Sequence, residues 1–251
     1  MKKNVLISGS NGAMGLKLME LIKVNFKDEL EVVAGFDKES KKRDGIFIYS
    51  DLNEIKEKID VIIDFSTPKA TIIALDYAKK KKIPIVIATT GFSKEEEEMI
   101  LESSKYTAIF KSANMSYGIN VMKDIVAKTS KVMFGADIEI IEAHHNRKKD
   151  SPSGTAKLLA DAINIANDGK YTYNLYKSSE LKEREKNEIG FASIRAGNII
   201  GEHTVIFATE HEIIEITHKA QDRTLFAEGA IKAAIYILNQ TPGIYEMIDL
   251  S

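Results

Sequence analysis

Up to about residue 115, short apolar runs alternate with stretches of helical spacing, and this alternation restricts the fold more than any other feature. The five apolar runs are NVLIS (4–8), ELEVVAGFD (29–37), DVIIDFS (60–66), IPIVIATTG (83–91) and YTAIFKSANMS (106–116). Short, continuously apolar runs are typical of strands buried in parallel sheets, with helices as the crossovers between them. The pattern therefore predicts an α/β fold whose N-terminal part is a doubly wound parallel sheet.

A different pattern follows from about residue 116. The segment DIEIIEAHH (137–145) predicts a strand and SGTAKLLADAINIA (153–166) predicts a helix, whereas residues 190–220 hold about three strands with no room for helices between them. Such short connections require antiparallel or mixed pairing. We therefore expect a second, α+β domain with a mixed sheet that is largely open on one face. The last helical segment (225–239) could pack on either domain.

The composition excludes several classes of protein. The chain of 251 residues has no cysteine, which excludes disulfides, thiolate zinc sites and cysteine nucleophiles. Its formal net charge of −2 gives no general attraction to nucleic acid or to anionic membranes. The apolar run after MKK is too short for a signal peptide, and no apolar stretch approaches the roughly 20 residues of a membrane span. We expect a cytoplasmic protein that binds neither nucleic acid nor a membrane.

The segment GSNGAMG, between the first strand and the first helix, places glycines at positions 9, 12 and 15. The usual dinucleotide fingerprint is G-x-G-x-x-G, whereas this segment has the form G-x-x-G-x-x-G. Gly9 suits the tight turn, Gly12 lets the backbone approach a pyrophosphate, and Gly15 lets the helix pack closely on the sheet. The free N–H groups of the helix N-terminus face the phosphates. We therefore predict a Rossmann-type dinucleotide site, with a glycine-rich turn without a ligand as the alternative.

Asp37 ends the second strand, where a carboxylate can accept hydrogen bonds from the adenosine ribose. Lys38 and the basic residues 41–43 follow and could instead contact a 2′-phosphate, so the choice between NADH and NADPH stays open. The segments ATTGF (88–92) and SANMS (112–116) end the fourth and fifth strands, the edge at which such sheets bind ligands. Taken alone, these two segments are better interpreted as ordinary polar loops.

The segment EAHHNRKKDSPSGTA, Glu142–Ala156, concentrates two histidines and three cations in front of a helix. His144 and His145 are consecutive, so on a continuing strand they would face opposite sides. The residues Ser-Gly-Thr at 153–155 open the helix, and their hydroxyl and N–H groups suit a carboxylate. A histidine beside lysines can hold or donate a proton during a reaction.

Three kinds of site are conceivable for this cluster. The H-E-x-x-H spacing of a zinc helix is absent, and the cations Arg147, Lys148 and Lys149 would repel a dication, so a metal is disfavoured. Nucleic acid is disfavoured because no aromatic residues are interleaved with the cations. A small dianionic substrate fits the residue types best. The alternative is a capped helix that follows a solvated charge run.

Taken together, these segments resemble the dihydrodipicolinate reductase family, also called 4-hydroxy-tetrahydrodipicolinate reductases. Residues 142–156 match every fixed position of the family signature E-A-H-H-x-x-K-x-D-x-P-S-G-T-A. The segments GSNGAMG, IDFSTP, ATTGF, ANMS, IRAGNIIGEHTV and EITHKA are similar to further family segments, in family order. The resemblance covers essentially the whole chain.

The resemblance implies an NAD(P)H-dependent oxidoreductase that reduces hydroxytetrahydrodipicolinate to tetrahydrodipicolinate in diaminopimelate and lysine biosynthesis. It implies that His144 is the proton donor and Lys148 a second catalytic residue, without any metal. The residues implied to contact the substrate carboxylates are His145, Ser153, Gly154 and Thr155. Those implied to bind the dinucleotide are Gly9, Ser10, Asn11, Gly12, Ala13, Met14, Asp37, Lys38, Ala88, Thr89, Thr90, Ser112, Ala113, Asn114 and Met115.

The resemblance also implies the division of the chain. Residues 1–115 and 219–251 would form the dinucleotide-binding domain, and residues 116–218 the substrate-binding and oligomerisation domain, through which the family forms homotetramers. Several residues depart from the family pattern. Asp37 stands where a longer acid or another residue often sits, and Lys38 follows in place of arginine, which leaves the coenzyme preference open. Ala88 replaces a usual glycine and Met115 a usual phenylalanine, and both could change how the nicotinamide ring packs without removing a reacting group.

Overall fold

The computed structural model describes residues 1–175 and 183–250. The chain divides into two compact units, of which the first comprises Met1–Met115 and Thr224–Ser251 and the second comprises Ser116–Arg223. The first boundary, after Met115, coincides with the one that the resemblance implies, and the second, after Arg223, lies beyond the implied boundary at residue 218. Within the described ranges, no helix combines the length and the apolar character that a membrane crossing requires.

Each unit is built on a sheet of its own. In chain order the first unit begins with β1 (Lys3–Ser8), α1 (Ala13–Asn25), β2 (Leu30–Phe36), β3 (Lys41–Arg43), β4 (Ile46–Tyr49), a 3₁₀ helix (Leu52–Glu54), β5 (Val61–Asp64), α2 (Pro68–Lys81), β6 (Ile85–Ile87), α3 (Lys94–Ser103) and β7 (Ala108–Lys111). The second unit contains α4 (Tyr117–Val132), β8 (Asp137–His144), α5 (Gly154–Ala166), β9 (Thr172–Asn174), β10 (Glu188–Arg195), β11 (Glu202–Ala208) and β12 (Ile213–Lys219). The chain returns to the first unit with α6 (Thr224–Ile237), β13 (Gly243–Tyr245) and a 3₁₀ helix (Met247–Leu250).

The sheet of the first unit has the strand order β13-β7-β6-β5-β1-β2-β4-β3, and only the β3–β4 pair is antiparallel. Successive side chains of β1 pack into two different hydrophobic cores, one on each face of the sheet. Val5 and Ile7 pack with residues of α1 and α6, whereas Leu6 packs with residues of α2 and α3. Because both faces are covered by helices, the strands are continuously apolar. The predicted doubly wound parallel sheet is confirmed.

The sheet of the second unit has the order β12-β11-β8-β10-β9. Strand β10 runs parallel to β8 and β9, whereas β11 runs antiparallel to β8 and β12. Residues of α4 and α5 share one core with alternate residues of the sheet, including Ile138 and Ile140 of β8. The intervening residues of β8 are more exposed. The predicted α+β unit with a mixed sheet is therefore confirmed.

Four strands and one helix were not predicted, namely β3 and β4, which form a hairpin, β9, β13 and α4. The sequence of β3 is Lys-Lys-Arg, which has no strand pattern of its own and pairs only because β4 lies beside it. For α4 a signal was present, since Ile119, Met122 and Val126 repeat at helical spacing and are buried.

Candidate active site

The loop between β1 and α1 is packed so closely that two of its positions accept only glycine. Gly9 has a φ of +80°, and a Cβ there would lie 2.3 Å from the carbonyl oxygen of Phe65. A Cβ on Gly15 would lie 2.4 Å from the carbonyl oxygen of Gly9. Among the residues that the structure describes, no side chain caps the N-terminus of α1 at Gly12, so its N–H groups can serve a ligand. These glycines therefore allow the turn and the tight helix packing that a phosphate-binding loop requires.

Beside this loop lies a cavity of about 610 Å³, a volume in the range typical of small-molecule sites. Its lining comprises Gly9, Asn11, Gly12, Phe36, Asp37, Lys38, Ser50, Phe65, Ser66, Thr67, Lys69, Ala70 and Ile73. The carboxylate of Asp37 accepts hydrogen bonds from the backbone N–H of Asn11 at 2.7 Å and of Lys38 at 2.8 Å. Asp37 thus holds the loop in place. The loop and the cavity beside it fit the phosphates and ribose of a dinucleotide.

The other residues proposed to bind the dinucleotide differ in exposure. Ser10, Thr89 and Met115 are buried, so their side chains contact the protein interior. Ala13, Thr90 and Ala113 are exposed. Met14, Ala88, Ser112 and Asn114 are half-buried. Five of the predicted residues line one cavity, namely Gly9, Asn11, Gly12, Asp37 and Lys38, whereas the predicted residues after β6 and β7 do not line it.

A buried carboxylate that the sequence analysis missed joins the loops after β5 and β6. Asp64 is fully buried and accepts hydrogen bonds from Ser66 Oγ at 2.5 Å, Thr71 Oγ1 at 2.6 Å and Thr89 Oγ1 at 2.7 Å. Burial raises the pKa of Asp64 above its ordinary value, although these hydroxyls act in the opposite direction. Thr89 Oγ1 in turn accepts from the backbone N–H of Ser66 at 2.9 Å. Asp64 therefore anchors the loop that carries Thr89.

In the second unit, alternation along β8 turns Glu142 and His144 toward the face that α5 covers. Both side chains are buried, and Nδ1 of His144 lies 2.5 Å from Oε2 of Glu142. Arg195 donates from Nη1 to Oε2 of Glu142 at 2.9 Å and from Nη2 to Oε1 at 2.6 Å. The backbone N–H of Ser153 donates to Oε1 at 3.2 Å. Both oxygens of this fully buried carboxylate therefore have charged partners or N–H donors.

The strand register explains why these residues meet. Parallel pairing sets Arg195 of β10 beside His144, and antiparallel pairing sets His203 of β11 beside Glu142. The rings of His144 and His203 lie edge to face with their centroids 5.1 Å apart. A Cβ on Gly201 would lie 3.1 Å from Nε2 of His144. Glycine at this position therefore leaves space beside that nitrogen.

The N-terminus of α5 lies next to this cluster. Ser153 caps the helix by accepting from the backbone N–H of Ala156 at 3.2 Å, and its Oγ lies 3.1 Å from Nε2 of His203. The Ser153 side chain is buried, whereas Gly154 is exposed and Thr155 is half-buried. The helix therefore presents the backbone of Gly154 and Thr155, not the Ser153 hydroxyl, at the surface.

Lys148 and His145 lie on the loop that follows β8, and both are half-buried. The Lys148 ammonium pairs with Oδ1 of Asp150 at 2.9 Å. Buried Nδ1 of His145 has no hydrogen-bond partner among residues 1–175 and 183–250. Within the same ranges, no group of three or more His, Asp and Glu side chains is arranged to hold a metal ion.

The charges around His144 act in opposite directions. Burial lowers the pKa of His144 below its ordinary value, the hydrogen bond to Glu142 raises it, and the cations Lys148 and Arg195 lower it further. For Glu142, burial acts to raise the pKa, but the hydrogen bonds from Arg195 and His144 outweigh it and hold the pKa below its usual range. The cluster therefore joins an ionised carboxylate to a histidine that releases its proton readily.

Around His144, the residues that sequence reasoning missed are Glu142, Arg195 and His203. Glu142 could have been found, because residues two apart on a strand share a face and His144 was already singled out. Arg195 and His203 come from other strands, and no local pattern indicates their register.

Comparison with known proteins agrees with both units. The family model described as dihydrodipicolinate reductase, N-terminus, matches residues 3–115, and the model described as dihydrodipicolinate reductase, C-terminus, matches residues 118–250. The 4-hydroxy-tetrahydrodipicolinate reductase of Caldanaerobacter subterraneus subsp. tengcongensis is 50% identical over 98% of this chain and 97% of its own length. That of Clostridium tetani is 45% identical over 97% and 94%.

Solved structures show the same fold at lower identity. The dipicolinate-bound dihydrodipicolinate reductase of Paenisporosarcina sp. TG-14 superposes with a TM-score of 0.80 at 22% identity and covers 98% of each chain. The aspartate dehydrogenase of Thermotoga maritima reaches a TM-score of 0.53 at 13% identity, covering 96% of this chain and 98% of that one. The fold and site define an oxidoreductase with a dinucleotide-binding unit and a separate α+β unit. Within that class, the chain belongs to the dihydrodipicolinate reductase family.

Proposed function

We propose that the chain catalyses the NAD(P)H-dependent reduction of 4-hydroxy-tetrahydrodipicolinate to tetrahydrodipicolinate in the diaminopimelate and lysine pathway. The observation that carries the proposal is the buried Glu142–His144 pair beside the N-terminus of α5. The pair lies in a chain that is similar over nearly its whole length to enzymes named 4-hydroxy-tetrahydrodipicolinate reductase. A histidine that can donate a proton, next to a helix N-terminus that can bind a carboxylate, suits the reduction of a cyclic dicarboxylate.

The first unit would hold the coenzyme. The backbone of Gly9–Gly12 and the α1 N-terminus would face the pyrophosphate, and Asp37 with Lys38 would face the adenosine ribose. The remaining proposed contacts come from Ser10, Ala13 and Met14 of the same loop and from the segments 88–90 and 112–115. When bound, the reduced nicotinamide supplies the hydride.

The second unit would bind the substrate. The N–H groups at Gly154 and Thr155 would receive one carboxylate, with help from His145. Lys148 would attract the second negative charge and could also move a proton. Its pairing with Asp150 holds the ammonium in the same loop until substrate arrives. Ser153 would contribute through its cap of α5 and its backbone, because its side chain is buried.

His144 would donate the proton from Nε2, since Nδ1 is bound to the Glu142 carboxylate. The overall reaction consumes a hydride and a proton and releases water, which turns the hydroxylated ring acid into tetrahydrodipicolinate. The substrate carboxylates would favour the protonated ring of His144 on binding, which offsets the effect of burial on its pKa. His144 then gives up that proton as the ring is reduced.

The proposal is tested by following reduced-nicotinamide absorbance with freshly generated hydroxytetrahydrodipicolinate. We expect rapid consumption of NADH, NADPH or both. Coenzyme binding without consumption would instead indicate a nicotinamide-binding sensor. Consumption only with another amino-acid precursor would indicate a different dehydrogenase on the same fold.

We also propose a homotetramer formed through the open face of the second sheet. Ile194 and Ile213 are 49% and 65% exposed, and cross-strand pairing places Ile213 on the face opposite the α4–α5 core. Light scattering should give four chains per particle, and Ile213→Glu should reduce that mass. A monomer in the unmodified protein would contradict the proposal. The cytoplasmic location expected from the sequence stays a prediction.

A further inference from the structure

The carboxylate of Glu142 is shared between a histidine and an arginine. Oε2 has His144 Nδ1 at 2.5 Å and Arg195 Nη1 at 2.9 Å, while Oε1 has Arg195 Nη2 at 2.6 Å. The same arginine donates to the carbonyl oxygens of Asp150 at 2.7 Å and Ile194 at 2.8 Å. The guanidinium is thus fixed by four hydrogen bonds and cannot turn away from the carboxylate without breaking several of them.

A buried carboxylate bound to a histidine alone would strengthen the hold of that histidine on its proton. A donor that holds its proton too firmly transfers it slowly. Arg195 carries a permanent positive charge and binds both oxygens of Glu142. It therefore competes directly with protonated His144 for the one negative charge that they share.

We propose that Arg195 is a positioning residue for the proton transfer: its two-point pairing with Glu142 weakens the hold of that carboxylate on protonated His144 and aims Nε2 toward the space beside Gly201. The inference rests on the proposed function, in which His144 gives the proton. It adds that the acid strength of this group is set by a residue outside the proposed substrate and coenzyme contacts.

The charged and titratable groups around His144, within the part of the chain that the structure describes, are consistent with this role. Glu142 approaches from its own strand, Arg195 from β10 and His203 from β11. Burial lowers the pKa of His203 to about 3, so His203 is neutral and does not supply the competing charge. Lys148, on the loop after β8, lowers the pKa of His144 but is paired with Asp150. His145 follows His144 directly in the chain.

The orientation of the His144 ring follows from the same contacts. Ionised Glu142 accepts a hydrogen bond from the Nδ1–H of His144, so the neutral ring carries its hydrogen on Nδ1, and the transferable proton resides on Nε2. Gly201 keeps the region around Nε2 free of a side chain, because a Cβ there would lie 3.1 Å from that nitrogen. Arg195 and the backbone of Ser153 keep the carboxylate in place.

The test compares Arg195→Met with Arg195→Lys and a control, Lys149→Met. Lys149 is exposed, so its removal takes one cation from the same cluster without touching Glu142. The Cε1–H signal of each histidine is followed by NMR as pH is changed, and His144 is assigned by its loss in a His144→Gln variant. In Arg195→Met we expect the His144 midpoint to rise by about one pH unit, equivalent to a tenfold tighter hold on the proton.

Activity gives the second readout. In Arg195→Met, kcat should fall, and the alkaline limb of the pH profile should move upward with the His144 midpoint, because a weaker acid stays protonated to higher pH. KM should change little, since Arg195 is not among the residues proposed to bind the substrate. Arg195→Lys keeps the charge, so its His144 midpoint and its kcat should both lie close to those of the unmodified protein. Lys149→Met should resemble the unmodified protein.

An unchanged or lowered His144 midpoint in Arg195→Met would overturn the inference. If that variant does not fold, Arg195→Gln replaces it, because a neutral amide can still donate to Glu142, and the same rise is expected. The NMR titration needs no substrate. An inactive unmodified protein would therefore contradict the proposed function, whereas an active one with an unmoved His144 midpoint would contradict only the role of Arg195.

Discussion

Nε2 of His203 lies 3.1 Å from Oγ of Ser153, so strand β11 is tied to the residue that caps helix α5. The same Oγ accepts the backbone N–H of Ala156. The ring of His203 is buried against that of His144. One neutral histidine thus links the helix end proposed to bind a carboxylate with the residue proposed to donate the proton.

This arrangement predicts how stability depends on pH. The pKa of His203 is about 3 in the folded protein and 6.5 when exposed, so the unfolded chain binds the additional proton between these values. The free energy of unfolding should therefore fall as pH is lowered from 6.5, by at most about 2 kcal/mol at about pH 5. Urea unfolding of His203→Gln should show a weaker fall. An undiminished fall would contradict the prediction, and the exposed His211→Gln is the control.

His144→Ala should lower kcat by roughly 10²–10⁴-fold, because it removes the proposed proton donor. Coenzyme affinity should be nearly unchanged, since the glycine loop belongs to the other unit. Steady-state kinetics and a fluorescence titration with NADH measure the two quantities. His145→Ala is the matched comparison and should raise KM more than it lowers kcat. Normal turnover in His144→Ala would exclude the proposed donor.

Lys148→Ala should raise KM and lower kcat together, because Lys148 is proposed both to bind a carboxylate and to assist proton movement. Its neighbour Lys149 is exposed and has no proposed role, so Lys149→Ala should leave both constants nearly unchanged. Initial rates over a range of substrate concentrations separate the two effects. Equal behaviour of the two variants would show that Lys148 is only part of a solvated charge run.

Asp37→Asn should shift coenzyme preference toward NADPH. The Asp37 carboxylate would repel a 2′-phosphate, whereas the amide oxygen can still accept the hydrogen bond from Asn11. We expect the ratio of NADPH to NADH affinity to rise by about tenfold, equivalent to roughly 1.4 kcal/mol. Glu39→Gln removes a nearby exposed charge and controls for a general electrostatic effect. The ratio is measured by binding titration, and an unchanged ratio would contradict the prediction.

Asp64→Ala should destabilise the protein by about 1–3 kcal/mol, because buried hydroxyls lose their common acceptor. Asp64→Asn should cost less, since its amide oxygen can still accept. Coenzyme affinity should fall more in the alanine variant, because Thr89 is no longer held. Denaturant unfolding and NADH titration measure both effects. Equal stability of the two variants would show that the shared hydrogen-bond acceptor does not account for the stabilising effect of Asp64.

The amino-acid sequence by itself determined that one unit has a parallel sheet and the other a mixed sheet. The periodicity and the content of apolar residues are local properties of the chain. Continuous apolar runs such as residues 4–8 can only be buried on both faces, and the short connections within 190–220 allow no crossover helix. The glycine spacing and the histidine–lysine segment were also visible, since their residues are neighbours in the chain. Even the missed α4 had its buried residues at helical spacing.

Only the tertiary structure decided which side chains surround His144. Arg195 lies 53 residues from Glu142 in the chain, and Ser153 lies 50 residues from His203, yet each pair forms a hydrogen bond. Strand register sets such contacts, and a slip of one residue would turn Arg195 to the other face of the sheet. Register depends on the packing of the whole β8–β10–β11 group against α5, which is a non-local property. For that physical reason the sequence could indicate the proposed proton donor, but not that Arg195 and His203 lie beside it.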